Sequence, residues 1–348
     1  MVNVLTAALS RSGRCCRGPG AGRYVPGRRN GPRTAGLPAP AAGGAGGTLA
    51  AFLPLPAKRL ARRPGACKQP RWLTFRMQHQ EFAPPDALRD VVKCFWHNQM
   101  ELGPELTSFE VLPDGYAEIV FHFGGPCSLA TPAGLQPLPS PCLVGLLNQP
   151  VRFYAQHRLD ILGIRCFPWT VFELLGLPAG SDGVRVIAHP IAQLQAVLQA
   201  DVQAGNVAGA LAQAARFCLQ ARLAGSGGEL LTRAGAAMRA AHGTLPVREV
   251  AAAAHATVRT LERRFKQAAG HTVKDVSGLM RFEQARNRLW QHPEASLAGL
   301  AHELGYTDQA HLSREFRRYS GTTPAAFARK ARHERPPVSP DFVAFVQA

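Results

Sequence analysis

Apolar residues recur every three or four positions through the C-terminal third of the chain, the period of helices with one buried face. From Ala310 the apolar positions are Leu312, Phe316 and Tyr319, while His311, Arg314, Arg317 and Arg318 fall on the opposite face. Just upstream, Leu297, Leu300, Ala301 and Leu304 make a second short stripe. Gly305 separates the two, as glycine does where the backbone turns into positive φ. Thr307 or Asp308 supplies a side-chain oxygen to cap the second helix. The same design occurs earlier. Leu245–Ala254 predicts a short helix with Pro246 in its first turn, His255 and Ala256 make a turn, and Thr257–Ala268 predicts an amphipathic helix ended by Gly270. Leu261 and Phe265 face inward there; Arg259, Glu262, Arg263 and Lys266 face outward. Leu261, Arg263 and Phe265 match Leu312, Arg314 and Phe316 fifty-one residues later. Between the copies, Val276–Trp290 predicts one connecting helix with Met280, Ala285, Leu289 and Trp290 as packing positions.

Two short helices meeting at a turn, the second one basic, fit a helix-turn-helix whose second helix enters a DNA major groove. A basic solvated helix fits a single copy equally well; the duplication favours the first reading. A rigid connector would hold two recognition helices at the spacing of successive major grooves, about 34 Å.

From Met77 to about Gly183 the pattern changes to strands and turns. Val91, Val92, Phe95 and Trp96 begin it, in Asp90–Met100. Phe109–Phe123 predicts a hairpin, because Pro113-Asp114-Gly115 combines a preset φ with a permissive glycine between two strand-like runs. Further strands are expected at Pro141–Leu147, Val151–Ala155 and Asp160–Cys166, and a helix over Trp169–Leu175 ending at Gly176. Residues 191–223 predict two helices broken near Gly205, with stripes at Leu194, Val197 and Leu198, then Leu211, Ala215 and Cys218. Core packing, an interdomain layer and a dimer face would each use them. Ala224–Gly228 is a glycine-rich linker, expected to let the helical module move relative to the rest.

Residues from about Leu230 to Arg332 resemble the DNA-binding domain of the AraC/XylS family of bacterial transcription regulators. The second unit carries the resemblance through Gly305-Tyr306, Asp308-Gln309, His311-Leu312, Arg314, Phe316, Gly321, Thr323-Pro324 and Phe327; the first carries it through Leu261, Arg263, Phe265 and Gly270. The resemblance implies a seven-helix, two-unit module that binds double-stranded promoter DNA. Leu112-Pro113-Asp114-Gly115, Val144-Gly145 and Gly163-Ile164-Arg165 followed by Pro168 resemble an N-terminal domain of poorly defined role found in some AraC-like regulators. Trp169 stands where that pattern has a glycine.

The expected fold is multidomain α+β. A disordered basic extension occupies 1–76, a β-rich sensor-like domain 77–190, a helical connector with its linker 191–228, an all-α domain of two helix-turn-helix units joined by a long helix 229–332, and a flexible tail 333–348. Phe342, Val343, Phe345 and Val346 of that tail are apolar enough to dock.

Charge changes the picture less than its total of +17 suggests. Of 40 Lys and Arg, 14 lie in residues 1–76, which hold no acid, so 26 remain against 23 acidic residues from Met77 onward. The case for DNA therefore rests on local placement. Residues 1–76 are rich in Gly, Pro, Ala and Arg. A start codon read too early, with translation beginning at Met77, a disordered tail, and a signal around Arg28-Arg29 all fit that composition; Pro38, Pro40 and the Gly43–Gly47 cluster speak against the signal. No long apolar run lacks Pro and Gly, so no membrane span is expected.

The resemblance puts Arg259, Thr260, Glu262 and Arg263 of the first unit, and Gln309, Ala310, His311 and Arg314 of the second, at base-contacting positions. Arginine bonds guanine bidentately, glutamate accepts from cytosine N4, and alanine touches a thymine methyl. Lys266, Arg317, Arg318 and Arg281 are candidates for phosphate. The plain alternative for each is a solvated surface charge, and for His311 a helix cap. No catalytic residue is expected. The eight cysteines have neither metal-ligand nor C-x-x-C spacing, and nucleophile-elbow, P-loop and zinc-protease motifs are missing. Isolated His97, His122, His157 and His189 and the turn residue Asp114 suggest ordinary structural roles. No cofactor or metal is implied. The function expected is a cytoplasmic sequence-specific regulator, with a possible small-molecule effector, homodimer contact or RNA polymerase contact. Its alternatives are a regulator with a purely structural N-terminal domain, and a non-specific nucleic-acid binder driven by the basic tail.

Overall fold

Alternating burial along the first half of the chain builds one antiparallel sheet. In the computed structural model, residues 77–177, 180, 183–224, 228–333 and 345–346 are described; the expectations for residues 1–76, for the linker at 225–227 and for most of the tail lie outside them. The strands are β1 (Met77–Phe82), β2 (Val92–Val111), β3 (Ala117–Gly124), β4 (Cys127–Thr131), β5 (Gly134–Pro137), β6 (Cys142–Val144), β7 (Val151–Cys166), β8 (Val184–Val186) and β9 (Phe345–Val346). Their order is β1-β2-β7-β3-β6-β8, with β4 joining β7 to β5 and the tail strand β9 on β2. β3 shows the cause plainly. Ala117, Ile119, Phe121 and Phe123 are buried and the residues between them less so, which is the period of a strand with one apolar face.

Two sequence expectations change here. β2 and β3 flank the Pro113-Asp114-Gly115 turn, yet they do not pair with each other; both pair with β7, which lies between them. The turn chemistry is as expected, since Asp114 Oδ1 accepts the Tyr116 N–H at 3.0 Å. Turn residues specify a local reversal, whereas the partner of a strand is decided by a distant segment, here the long apolar β7. Val151–Ala155 and Asp160–Cys166 are likewise a single strand. It passes through His157, at φ 58, opposite a register shift at Gly103, φ 74. Such a bulge lets a long strand pair bend without breaking.

One sheet face, including Phe95, Ile119, Phe121, Leu162 and Ile164, is covered by α1 (Val171–Leu174), α2 (Leu194–Gln203) and α3 (Val207–Ala224). Residues 191–223 thus bury Leu198, Val202, Leu211 and Cys218 against the sheet, the core-packing alternative. Gly205, at φ 75, separates α2 from α3. On the other face Trp96 lies over Gly163, its cross-strand partner; a Cβ there would come within 2.0 Å of the indole.

Seven helices follow: α4 (Glu229–Ala240), α5 (Val247–Ala253), α6 (Val258–Ala269), α7 (Val273–Gln291), α8 (Leu297–Glu303), α9 (Gln309–Ser320) and α10 (Pro324–His333). They do not form a detached module. Leu112, Leu146, Phe167 and Trp169 of the β domain belong to the same apolar cluster as Leu231, Phe265 and Leu279. Trp169 is fully buried, stacked on Phe167 at 5.3 Å and 8°, and 5.7 Å from Phe265 of α6. Gly235 of α4 meets the indole so closely that a Cβ would lie 2.2 Å from it. The freely moving module expected from the linker is therefore corrected to one packed on the β domain.

Candidate nucleic-acid interface

Each helix-turn-helix unit is set by its caps. Thr257 precedes α6 and accepts the Thr260 N–H at 3.2 Å; Asp308 precedes α9 and accepts the His311 N–H at 2.6 Å. Gly270 and Gly321 end the two helices at φ 73 and 71. The repeat continues past them, because Thr272 begins α7 in a capping box with Asp275, and Thr323 caps the Ala326 N–H before α10. Burial works to raise the Asp275 carboxyl, but hydrogen bonds from the Thr272 hydroxyl and N–H, with His271 and Arg318 nearby, hold it below the usual carboxylate range. The turns themselves differ. His255 takes positive φ (49) in the first and Gly305 (70) in the second, where the connection is one residue longer.

Buried positions fix which way each helix points. Leu261, Phe265 and Ala269 turn one side of α6 into the core, and Leu312, Phe316 and Tyr319 do the same for α9. Arg259, Arg263 and Lys266 stand exposed on the outer side of α6, and Gln309, Ala310, Arg314, Arg317 and Arg318 on that of α9. Thr260 is half-buried. The sequence reading missed Gln267. It is exposed one turn beyond Arg263, so Arg259, Arg263 and Gln267 form a ridge at four-residue spacing, matched fifty-one residues later by Ala310, Arg314 and Arg318. The spacing from Arg263 was the available signal.

Two predicted contacts have intramolecular partners. Glu262 Oε2 accepts the Val273 N–H at 3.3 Å, tying α6 to the start of α7. His311 is half-buried, edge-on to Tyr306 at 5.2 Å, and its Nδ1 lies 3.4 Å from the Thr307 N–H. Arg281 is not a phosphate candidate. It donates to the Gly243 carbonyl at 3.0 Å and to both Glu315 oxygens at 3.2 Å, and both side chains are largely buried. Sequence could not show this, because Glu315 lies 34 positions away on another helix.

Two sets of arginines stand in contrast. Arg165, Arg222 and Arg281 engage carboxylates, and Arg286 donates to the Pro113 carbonyl. Arg259, Arg263, Arg314 and Arg317 engage no acid or hydrogen-bond acceptor among the described residues. They cluster on the two outer helix faces. Rigidity between those faces comes from α7, about 28 Å long at ~1.5 Å per residue. Its Phe282 packs on Phe316 at 5.0 Å and Tyr319 at 5.3 Å. Among the described residues, no group of three or more His, Cys, Asp and Glu is placed to hold a metal ion, and no helix is long and apolar enough to cross a membrane.

The family described as "Helix-turn-helix domain" matches residues 250–330, and a "Domain of unknown function (DUF6597)" matches residues 80–187. The HTH-type transcriptional activator RhaS of Pectobacterium carotovorum subsp. carotovorum (strain PC1) is 34% identical over 74 residues, covering 21% of this chain and 26% of the relative. RhaS of Pectobacterium atrosepticum shows the same figures. The chain thus spans about a quarter of the length of the curated relatives it matches. Among solved structures, the DNA-binding domain of AdpA in complex with a target DNA is 28% identical, covering 32% of this chain and 99% of that one at a TM-score of 0.29. ToxT from Vibrio cholerae O395 is 11% identical, covering 67% and 96% at 0.38.

Proposed function

We propose that this chain, whose residues 250–330 are a helix-turn-helix domain of the AraC type, is a sequence-specific transcription regulator that lays α6 and α9 into two successive major grooves of promoter DNA. One observation carries the reading. The duplicated ridges present Arg259, Arg263 and Arg314 without acid partners, whereas Arg165, Arg222 and Arg281 are each held by a carboxylate. A cation kept unpaired on a rigid face is suited to a polyanion or a base edge.

Arg263 and Arg314 sit at equivalent central positions and are assigned to guanine, with Arg259 beside them. Ala310 offers a methyl contact, and Gln309 and Thr260 lie at the helix starts. Lys266 and Arg317 flank the ridges, Arg318 ends the second, and all three are assigned to phosphates. Glu262 and His311 sit beside the ridges, and each also holds its own turn. The β domain serves as the effector-binding or dimerisation part. A regulator of promoters works where the DNA is, which in a bacterial cell is the cytoplasm, and contact with RNA polymerase belongs to this reading.

Full-length protein titrated with its own upstream DNA and with scrambled DNA over a salt series tests the assignment. A preference for the native site, reduced by about 1–3 kcal/mol in Arg314→Ala, is expected. Equal affinity for both DNAs, lost on deleting residues 1–76, would instead identify a non-specific binder driven by the basic extension.

A further inference from the structure

A crevice of about 480 Å³ lies where the β domain meets the helical domain. Lys93, Tyr116 and Phe167 wall it from one side, and Arg239, Met280 and Glu283 from the other. That volume is in the range of small-molecule sites, roughly 300–1,000 Å³. The cavity inside the sheet, between Trp96, Phe109, Cys127 and Phe153, holds only about 50 Å³, enough for little more than water. The crevice is therefore the roomier of the two by far.

Its chemistry is asymmetric. The guanidinium carbon of Arg239 lies 4.1 Å from the centre of the Phe167 ring, and its Nη1 is buried with no hydrogen-bond partner. Neither Arg239 nor Lys93 has a carboxylate partner among the described residues. Nearby acids are committed elsewhere: Asp90 holds Arg222 through two bonds of 2.6 and 2.7 Å, and Asp86 holds Arg89 at 2.7 Å. A buried guanidinium donor without an acceptor costs free energy that a bound anion would recover. Glu283 is the one acid in the wall. Burial and the Asp114 carboxylate push its carboxyl above the usual range, against the opposing pull of Arg286. Tyr116, Phe167 and Met280 supply an apolar wall beside the cation.

We propose that this crevice binds a small organic carboxylate with an aromatic or apolar body, the carboxylate seated on Arg239 with Lys93 at the mouth and the body against Phe167, Tyr116 and Met280. That it serves as the effector site rests on the regulator reading above. Such a ligand bridges both domains. It also touches α7, where Met280 and Glu283 flank Arg281 and Phe282, the residues that hold the second helix-turn-helix unit. Binding there biases the arrangement of the two DNA-reading helices, and by linkage DNA changes carboxylate affinity by the same factor.

The test uses full-length protein without DNA. Benzoate, phenylacetate, indole-3-acetate and octanoate, each with its neutral amide, are titrated by calorimetry and thermal shift into wild type, Arg239→Gln, Arg239→Lys and Lys93→Gln. At least one carboxylate should bind at one site per chain and raise Tm with dose, while its amide does not. Arg239→Gln should weaken binding about 10- to 100-fold, the range expected for a charge-assisted hydrogen bond. Arg239→Lys should restore part of it, and Lys93→Gln, at an exposed position, should weaken it by less. Amides binding as well as carboxylates, unchanged affinity in Arg239→Gln, or no saturable binding by any of the four carboxylates would overturn the proposal. Since no DNA is present, failure here leaves the DNA-binding assignment standing, and failure of specific DNA binding leaves this result standing.

Discussion

Removing the Trp169 indole should reverse the sign of a second mutation on another domain. The indole is fully buried between Phe167 and Phe265 and fills the space over Gly235, where a Cβ would lie 2.2 Å from Cζ2 and 2.3 Å from Cε2. Trp169→Ala should cost about 3–5 kcal/mol for lost burial and the cavity left behind. The lower end is favoured, because Trp169 Nε1 is buried without a partner and its loss is a gain. Gly235→Ala alone forces the ring aside and should cost about 1–3 kcal/mol. In the Trp169→Ala background the clash is gone and only the helix preference for alanine remains, so the same change should stabilise by about 0.5–1 kcal/mol. Urea unfolding of the four proteins, followed by helix content, gives the cycle, with a coupling of about 1.5–4 kcal/mol expected. If Gly235→Ala destabilises equally in both backgrounds, the two domains do not share the core described here. Trp169→Ala costing under about 1 kcal/mol would say the same.

Arg281→Ala should cost about 2–3 kcal/mol, since it strands Glu315 in a largely buried setting, and should weaken DNA binding through disorder of α9; unfolding and affinity together check it. Glu283→Gln should stabilise the ligand-free protein at pH 8 and make little difference near pH 4. The native carboxyl is raised by burial and Asp114, so the stability it contributes is complete below the ordinary carboxylate range and is lost as pH rises through the raised value. A destabilised variant at pH 8 would contradict the sign. Cys94, Cys127, Cys142 and Cys218 are buried and their thiols pushed up to about 12, so mass mapping after native thiol labelling at pH 8 should find all four unmodified.

The helical domain was legible because its information is local. Thr307 or Asp308 as a cap, Gly270 as a stop, and Leu312, Phe316 and Tyr319 as a buried stripe each follow from neighbours within a turn or two. The β domain was less legible for the converse reason. Pro113-Asp114-Gly115 announces a reversal, but nothing near it announces that β7 inserts between the strands it joins. The interdomain core was hidden for the same reason. Trp169 was visible only as an oddity, and its partners Gly235 and Phe265 lie 66 and 96 positions on. At the candidate site, sequence placed the exposed cations but could not separate Arg281, whose partner is nonlocal, from Arg314, which has none among the described residues.

The account turns on two recognition helices held by α7, and selection of full-length protein on a random duplex library tests that most directly. It should enrich a bipartite motif whose two parts are about one helical turn apart, roughly 10 base pairs. Repeating the selection with Arg263→Ala should relax one part and with Arg314→Ala the other. Enrichment of no motif, or a motif unchanged by either substitution, would contradict base reading by α6 and α9.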